Sequence, residues 1–253
     1  MRVFLTGASS GIGEALARHY AKAGATLGLF ARREPELARL AAALAPATVA
    51  TYAGDVRDAD ALARAAADFI ARYGVPDVVI ANAGVSRGAL TDEPDDLPVF
   101  REVLEINMLG IVHTFAPFMA AFRRAGSGTF VGVASVAGFR GLPGSGAYSG
   151  SKAAAIAYLE SLRVELVGSG IAVVTICPGF VATPLTSRNP YPMPFLLAPD
   201  KAARLMARAI ERRRRFYVLP WQMALVGRVL RCVPRWLYDR VFAGRKRKLR
   251  QGE

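Results

Sequence analysis

The chain has 253 residues, of which 53% are hydrophobic and 21% charged, a balance that excludes an intrinsically disordered protein and fits one large α/β domain. Its two cysteines, Cys177 and Cys232, and its two scattered histidines exclude a disulfide-rich scaffold, leave a single bridge open, and offer no metal-ligand spacing. The net charge of +13 comes entirely from residues 201–253, which carry 16 basic and 3 acidic side chains, because residues 1–200 carry 17 of each.

Short apolar runs alternate with alanine-rich segments of helical periodicity. The runs predict strands at 3–7, 26–31, 48–56, 78–84, 129–135, 171–179 and 215–220. The periodic segments predict helices at 12–23, 35–44, 59–73, 97–124, 147–166 and 199–213. This alternation is typical of a Rossmann-type, doubly wound parallel sheet, so we expect one α/β domain over 1–220 and a C-terminal extension over 221–253.

The chain is expected to be cytoplasmic. The first strand begins two residues after Met1, so no signal peptide is predicted, and few cysteines suit a reducing compartment. The apolar stretch 218–233 is interrupted by Arg228 and Arg231 and is shorter than the roughly 20 apolar residues that span a bilayer, so we predict no transmembrane helix.

A glycine-rich turn, TGASSGIG at 6–13, joins the first strand to the first helix. Gly7 permits a tight turn, Gly11 lets the backbone approach a pyrophosphate, and Gly13 lets the helix and strand pack closely. The helix N-terminus offers unpaired N–H groups to phosphates. The sequence therefore predicts a dinucleotide site, and the alternative is that these glycines only shape the turn.

The second strand ends in Ala31-Arg32-Arg33, where sites that prefer NAD place an acid against the ribose 2′-hydroxyl. A guanidinium pairs with a 2′-phosphate, whereas an acid would repel it. We therefore expect NADP(H), with Arg32 as the clamp and Ser9 or Ser10 assisting. The alternative is that both arginines are ordinary surface charges.

Tyr148 and Lys152 are four residues apart on a predicted helix, so their side chains share one face. A free tyrosine has a pKa near 10, and a neighbouring ammonium is expected to lower it towards the range in which acid–base catalysis is efficient. Ser135 ends the fifth predicted strand, at the edge of the sheet where ligands gather, and its hydroxyl can polarise a substrate oxygen.

Several short motifs occur in order along residues 1–185: TGASSGIG at 6–13, Asp55-Val56, Asn82-Ala83-Gly84, Asn107, Ser135, Tyr148-Ser-Gly-Ser-Lys152, and Pro178-Gly179 with Thr183. Together they resemble the short-chain dehydrogenase/reductases. The resemblance implies about seven strands in the order 3-2-1-4-5-6-7. It also implies a homodimer or homotetramer that pairs through two long helices.

The resemblance further implies a catalytic tetrad of Asn107, Ser135, Tyr148 and Lys152, in which Asn107 holds a relay water through its main chain. The alternative for Asn107 is a polar residue that only kinks its helix. The residues assigned to the cofactor are Gly7, Ser9, Ser10, Gly11, Ile12, Gly13, Arg32, Arg33, Asp55, Val56, Asn82, Ala83, Gly84, Tyr148, Lys152, Pro178, Gly179, Val181 and Thr183. Asn82 has the alternative of a mainly structural role.

Residues 185–199 are rich in proline and apolar side chains and follow the nicotinamide loop that the resemblance implies. In the family this position forms a mobile lid, so the composition favours a hydrophobic ketone or alcohol as substrate. Phe139, Leu142 and Pro143 on the neighbouring loop agree with this expectation. The alternative is that these side chains only pack the lid.

The extension 221–253 predicts two basic amphipathic helices, at 221–233 and 235–242, before the basic run 245–248. One helical face carries Arg228, Arg231 and Arg235, and the opposite face carries Leu225, Val229, Cys232 and Trp236. Such a helix can rest on an anionic membrane surface, here the inner face of the membrane. The alternative is that the apolar face packs on its own domain or on a sister subunit. No nucleic-acid motif is present, so we expect no nucleic-acid partner.

The sequence thus predicts an NADP(H)-dependent oxidoreductase that interconverts a carbonyl and an alcohol on a hydrophobic substrate, with Tyr148 as general acid/base. One alternative is a catalytically silent Rossmann protein that senses dinucleotide at a membrane. The other is an enzyme of the same fold that catalyses epimerisation or dehydration.

Overall fold

The predicted strands form a single parallel sheet in the computed structural model, which describes residues 1–187, 189, 191–244, 247, 248 and 250. The strands are β1 (Arg2–Thr6), β2 (Thr26–Ala31), β3 (Val49–Ala53), β4 (Val78–Ala81), β5 (Gly128–Val133), β6 (Ile171–Pro178) and β7 (Phe216–Leu219). Their order is β3-β2-β1-β4-β5-β6-β7, which confirms the expected Rossmann-type topology. The carboxyl ends of all seven strands therefore lie along one edge.

The helices follow the strands as expected for a doubly wound sheet. They are α1 (Gly11–Lys22), α2 (Glu34–Ala43), α3 (Ala59–Tyr73), α4 (Leu97–Leu104), α5 (Gly110–Ala125), α6 (Gly146–Glu165), α7 (Pro199–Glu211), α8 (Trp221–Cys232) and α9 (Arg235–Phe242). A π-helical turn, Glu105–Leu109, joins α4 to α5 without a break. Because α4 and α5 continue one another, Asn107 lies within one long helix, as predicted.

The sheet has a hydrophobic core on each face. Along β1, Val3 and Leu5 face the core formed with α1, α2 and α7, whereas Phe4 faces the core formed with α3, α5 and α6. The Phe4 ring lies 5.7 Å from Phe69 and 4.9 Å from Phe118. Each such buried side chain stabilises the fold by about 1.5–3 kcal/mol. Both cysteines are free, so the bridge that the sequence left open is not formed.

Three strands end two or three residues earlier than predicted. The sequence extends β3 to residue 56, β4 to 84 and β5 to 135, but the structure ends them at Ala53, Ala81 and Val133. Their last predicted residues instead turn out of the sheet and form the loops of the site described below. The sequence pattern therefore placed the first loop residues at the ends of these strands.

Pro94–Ala125 is long and apolar enough to cross a membrane by length and composition. One side of it is covered by the domain, because Phe115, Phe118 and Phe122 are buried against the sheet. We therefore regard it as a core helix of the domain.

The C-terminal helices α8 and α9 rest on the loop that follows β5. A Cβ on Gly227 would lie 2.4 Å from the Phe139 ring, so α8 approaches that ring at its glycine. Arg140 donates to the carbonyls of Leu230 (2.9 Å) and Val233 (3.0 Å) at the end of α8. Its guanidinium also lies 4.2 Å from the centroid of the Tyr238 ring on α9.

The apolar face predicted for the extension does not pack on the domain. Trp221, Leu225, Val229 and Trp236 are 55–71% exposed, and Cys232 is exposed as well. The face that packs is instead formed by Met223, Gly227 and Tyr238, the buried residues of these helices. Of the basic run 245–248, residues 245 and 246 lie outside the described part of the chain.

Candidate active site at the carboxyl edge of the sheet

The glycine-rich turn adopts the shape that its sequence predicts. Gly7 and Gly11 have φ angles of +69° and +58°, a region that favours glycine. A Cβ on Gly13 would lie 2.1 Å from the carbonyl oxygen of Gly7, so no larger residue fits there. The side chain of Ser10 does not cap α1. The first N–H groups of the helix therefore face an open cradle that fits the diphosphate of a dinucleotide.

Two arginines follow β2 at the expected place. The Arg33 guanidinium donates to the carbonyl oxygen of Ser9 (3.2 Å) and to its hydroxyl (3.1 Å), which ties it to the glycine-rich turn. Arg32 is half exposed and lies 3.9 Å from the Asp55 carboxylate. The two residues that follow β2 beside the turn are thus cationic. The strand itself ends in Ala31, where a site that prefers NAD would have an acid.

Asp55 belongs to a small charged cluster next to Arg32. Arg57, which sequence reasoning missed, donates to the Asp55 carboxylate at 2.8 Å. Burial raises the pKa of Asp55, but hydrogen bonds from Arg57 and the charges of Arg57 and Arg32 outweigh it and leave the pKa below its usual value. Asp55 is therefore ionised at neutral pH. Its neighbour Val56 is buried, and its carbonyl oxygen lies 2.9 Å from His113 Nδ1.

Asn82 braces the glycine-rich turn from the end of β4. Its side-chain amide donates to the carbonyl oxygens of Thr6 (3.1 Å) and Gly7 (3.2 Å). The Thr6 hydroxyl in turn accepts from the backbone N–H groups of Asn82 (3.2 Å) and Ala83 (3.4 Å). The side-chain contacts of Asn82 are thus structural, which was the alternative that the sequence left open. Thr6 was missed because a threonine at a strand end carries no chemical signal.

Tyr148 and Lys152 lie on one face of α6, opposite Ser135. Lys152 Nζ donates to the carbonyl oxygen of Val133 at 2.8 Å and lies 6.0 Å from the centroid of the Tyr148 ring. The Ser135 hydroxyl accepts from the Ala137 N–H at 3.1 Å and lies 3.5 Å from the Pro178 carbonyl oxygen. The ends of β5 and β6 and the start of α6 therefore converge here, as predicted.

The expected direction of the Tyr148 pKa is wrong in this structure. Burial raises the pKa of Tyr148 above its usual value, and hydrogen bonding with Ser135 offsets only part of that rise. Burial also lowers the pKa of Lys152 to about 8. Desolvation, which favours the neutral form of a buried group, is the largest cause of both shifts. The phenol is therefore protonated at neutral pH.

Asn107 occupies the π-helical turn and is fully buried. Its amide oxygen accepts from the Val85 N–H at 2.8 Å, and its amide nitrogen donates to the Val85 carbonyl (2.9 Å) and the Ser151 hydroxyl (3.0 Å). Ser151 donates to the Tyr148 carbonyl at 2.8 Å. Asn107 thus joins the loop after β4 to the helix of Tyr148. Ser151, within the Tyr148–Lys152 motif, was missed.

Gly84 lies where the tetrad residues meet. A Cβ on Gly84 would lie 3.2 Å from the Asn107 amide oxygen and 3.5 Å from Lys152 Nζ. The structure thus brings Asn107, Lys152 and Tyr148 together with Ser135 at one edge of the sheet.

The loop after β6 closes the site from the other side. Gly179 donates its N–H to the Leu219 carbonyl at 2.7 Å, and a Cβ added to Gly11 would lie 3.1 Å from Thr183 Cβ. The Thr186 hydroxyl donates to the Val181 carbonyl at 2.6 Å and so braces the loop. Pro178, Gly179, Val181 and Thr183 therefore face the glycine-rich turn across one cleft.

The apolar segment 185–199 lies partly over this cleft, with residues 188 and 190 outside the described part of the chain. Tyr191 lies 6.3 Å from the Phe180 ring and close enough to Tyr148 to raise its pKa. Phe139, in contrast, stacks on Phe216 and packs against α8, because the loop after β5 turns its ring towards the C-terminal helices. Phe139 therefore supports the extension, whereas the sequence placed it in the substrate pocket.

Comparison with known proteins identifies relatives of the chain. The family model described as short chain dehydrogenase matches residues 1–191. The chain is 39% identical over 239 residues to an uncharacterized oxidoreductase of Myxococcus xanthus strain DK1622, covering 93% of each protein. It is 36% identical over 192 residues to 11-beta-hydroxysteroid dehydrogenase A of Sesamum indicum, covering 75% of this chain but 55% of that relative. The chain thus spans about half the length of the plant protein.

Solved structures share the fold. A short-chain dehydrogenase from Streptomyces avermitilis superposes with a TM-score of 0.79 at 29% identity, covering 90% of this chain and 92% of that one. An alcohol dehydrogenase from the archaeon Thermococcus sibiricus, complexed with 5-hydroxy-NADP, gives a TM-score of 0.77 at 30% identity, covering 86% and 94%.

Proposed function

Because the chain belongs to the short-chain dehydrogenase/reductase family, we propose that it is an NADP(H)-dependent oxidoreductase that interconverts a carbonyl and an alcohol. The observation that carries this proposal is the convergence of Ser135, Tyr148 and Lys152 beside the glycine-rich turn, with Asn107 joined to the same helix. Without Tyr148 this site would have no proton donor, and without the other three residues the donor and the substrate oxygen would not be held in place.

The protein's own groups divide the chemistry between them. The bound nicotinamide supplies the hydride in reduction and accepts it in oxidation. Tyr148, whose pKa is raised by burial, gives its proton to the carbonyl oxygen in the reductive direction. Ser135 holds that oxygen in place through its hydroxyl. Lys152 is held by its hydrogen bond to the Val133 carbonyl. From there it can bind the nicotinamide ribose and can help to return a proton to Tyr148 after the reaction.

Asn107 has a positioning role in this scheme. Both ends of its side-chain amide are engaged by Val85 and Ser151, so the side chain has no free group for proton transfer. A relay through this turn would therefore use its main chain, and π-helical turns are frequent at functional sites.

The preference for NADP(H) is supported by the two arginines after β2. Arg33 is held against Ser9, and Arg32 is half exposed beside the turn, where a 2′-phosphate would extend from the adenosine ribose. Charge-assisted pairs of this kind contribute about 1.5–3 kcal/mol. The structural relative from Thermococcus sibiricus, which is complexed with 5-hydroxy-NADP, agrees with this choice.

We propose that the substrate is an apolar ketone or alcohol of lipid-like or steroid-like character. We expect a panel of carbonyl compounds, followed by the loss of NADPH absorbance, to give higher kcat/KM for long-chain ketones than for small polar ones. We also expect NADPH to be preferred over NADH. The apolar segment 185–199 and the similarity to a hydroxysteroid dehydrogenase support this proposal.

Arg32→Ala provides the test of cofactor choice within that panel. Its KM for NADPH is expected to rise about tenfold or more, whereas its KM for NADH stays nearly constant. Arg39→Ala is the matched control, because Arg39 is also an exposed arginine next to β2 but pairs with Glu36 and Glu14 on the helices. An unchanged NADPH to NADH ratio in Arg32→Ala would contradict the assignment.

The same panel separates the competing functions. A catalytically silent sensor would bind NADPH without consuming it for any carbonyl. An epimerase or dehydratase would convert its substrate with no net change in the cofactor. The presence of Ser135, Tyr148 and Lys152 together favours the oxidoreductase, because a sensor has no chemical need for all three.

A homodimer is proposed, with a homotetramer as its extension, through the long helices α4, α5 and α6. Their outer surfaces carry exposed apolar side chains at Leu97, Leu104, Leu109 and Val164, which are 43–59% exposed. Apolar side chains exposed along neighbouring long helices are typical of surfaces that pair.

We also propose that α8 and α9 attach the protein to an anionic membrane surface. Their exposed apolar face carries Trp221 and Trp236, and a surface groove of about 430 Å³ is lined by Arg228, Val229, Cys232, Val233 and Pro234. The excess positive charge of the chain lies after residue 200, so cations flank this face. Interfacial helices combine these two features, and lipid headgroups supply the opposite charge.

Arg228→Gln/Arg235→Gln tests this attachment. We expect its affinity for vesicles containing phosphatidylglycerol to fall at least about tenfold, since each arginine near such a surface contributes about 1 kcal/mol. Arg123→Gln/Arg124→Gln, which removes two exposed arginines at the end of α5, is the control. Equal co-sedimentation of both variants and the unmodified protein would refute the proposal. A change in the sedimentation coefficient without vesicles would instead assign the face to a sister subunit.

A further inference from the structure

The described residues of the C-terminal segment, 247, 248 and 250, lie at the active-site cleft, far along the chain from the other residues of the site. Arg250 forms ion pairs with Asp96 (2.9 Å) and Glu93 (3.1 Å), and its backbone bridges Gly88. Asp96 is itself buried and accepts from the Leu90 N–H at 2.8 Å, so the anchor is fixed in the domain. The segment is therefore attached to the loop that follows β4.

The opposite side of the segment contacts the loop before α6. The Lys248 N–H donates to the Pro143 carbonyl at 3.5 Å. A Cβ on Gly144 would lie 2.9 Å from the Lys248 carbonyl oxygen, so the two backbones touch. Lys248 and Arg250 thus contact the loop of Gly144 and the loop of Gly88, respectively, next to the start of the helix that carries Tyr148.

This placement directs the Lys248 side chain towards the catalytic tyrosine. Lys248 Nζ donates to the Ser86 hydroxyl and lies 5.6 Å from the centroid of the Tyr148 ring. An ammonium has three N–H donors, and Ser86 uses one of them. Lys152 lies at a similar distance from the ring and also donates one N–H, to the Val133 carbonyl, but the proposed function assigns its remaining donors to the nicotinamide ribose. Lys248 is therefore a second cation beside Tyr148, with donors left for a substrate.

The charge of Lys248 has no acidic partner among the described residues. The carboxylates nearest to the segment, Asp96 and Glu93, pair with Arg250. Burial lowers the pKa of Lys248 to about 8. A carboxylate bound next to it would raise that pKa and stabilise the ammonium, because an opposite charge within a few ångströms favours the charged form.

We propose that Lys248 binds a carboxylate of the substrate, so that the preferred substrate is an oxo acid with an apolar chain. This inference rests on the proposed function of the site and adds the substrate class to it. The reacting carbonyl must reach Tyr148 while the carboxylate reaches Lys248 Nζ. The separation of 5.6 Å between that nitrogen and the Tyr148 ring therefore places the two substrate groups only a few bonds apart.

The proposal is tested with 4-oxodecanoate, its methyl ester and 4-decanone as matched substrates, with NADPH as reductant. The unmodified protein is expected to prefer the acid to the ester in kcat/KM. In Lys248→Met this preference is expected to fall about 30-fold or more, chiefly through KM, because one partner of a partly buried charge pair is lost. Lys248→Arg, which keeps the charge, should recover part of the preference. Lys201→Met removes an exposed lysine on α7 and is the control.

Two outcomes overturn the proposal without touching the oxidoreductase assignment. One is reduction of the ketone and the ester but not of the acid. The other is an acid to ester ratio that Lys248→Met leaves unchanged, which would make the segment a simple cover of the cleft. Failure to reduce any of the three compounds counts against the proposed function instead.

A binding measurement keeps the two failures apart. Decanoate, which has no ketone group to reduce, is titrated calorimetrically into the protein with NADPH present. Binding that is lost in Lys248→Met and retained in Lys201→Met supports the carboxylate site whether or not turnover is seen. Equal binding of decanoate to both variants, or no binding to the unmodified protein, rejects the site.

Discussion

Tyr148→Phe is expected to lose turnover by about 10²–10⁴-fold, which is the usual contribution of general acid–base catalysis. The change removes only the hydroxyl that donates the proton, and the ring keeps its place between Lys152 and Lys248. Affinity for NADPH should therefore stay within about twofold, since the diphosphate and the 2′-phosphate are bound elsewhere in the cleft. Steady-state kinetics and fluorescence titration of NADPH measure the two quantities separately.

Tyr158→Phe is the matched control for that result. Tyr158 lies on the same helix, α6, and is partly buried against the core that this helix forms with α3 and α5. Its loss of a hydroxyl should leave kcat nearly unchanged. If Tyr148→Phe turned over the substrate as fast as Tyr158→Phe, the proton would have to come from another group, and the proposed mechanism would be wrong.

Gly13→Ala is expected to lose NADPH binding and to destabilise the fold by about 1–3 kcal/mol, as overpacking does in a tight site. The new Cβ would lie 2.1 Å from the Gly7 carbonyl oxygen and 2.7 Å from the Asn82 amide nitrogen. Neither atom is free to move, because Gly7 donates its N–H to the Phe30 carbonyl at 2.8 Å and Asn82 is bonded to Thr6. The turn must therefore open, which removes the cradle for the diphosphate.

Gly150→Ala is the control for this variant. Gly150 also lies in a helix, but a Cβ there meets nothing within 4 Å. Alanine should raise helix stability by up to about 1 kcal/mol at such a position. Denaturant unfolding and NADPH titration of both variants give the comparison, and a Gly13→Ala protein with normal stability and affinity would show that the turn is not a close-packed site.

The fold could be predicted because its signals are local. Each buried strand is a short apolar run, and each helix repeats its apolar residues at helical spacing, so the order of elements follows from the chain itself. Tyr148 and Lys152 were found in the same way, because a spacing of four fixes them on one helical face. The roles of Gly7, Gly11 and Gly13 could also be predicted, because each depends on the backbone conformation or close packing within a single turn.

Features that depend on distant parts of the chain could not be predicted. The pKa of Tyr148 depends on how deeply the tyrosine is covered, and that is decided by packing rather than by the spacing to Lys152. Lys248 is 100 positions from Tyr148, and nothing in a basic C-terminal run indicates that one lysine turns back into the cleft. The face of α8 that packs was also misjudged, because it is formed around Gly227, whose missing side chain admits the Phe139 ring.

The loop that follows β5 connects the candidate active site with the C-terminal helices α8 and α9. Ser135 stands at its start, and five residues later Arg140 grips the end of α8 through the Leu230 and Val233 carbonyls. A pull on the C-terminal helices must therefore break both of these hydrogen bonds or drag the loop with it. If α8 and α9 attach the protein to a surface as proposed, the attachment would be mechanically connected to Ser135, and we would expect vesicle binding to change turnover.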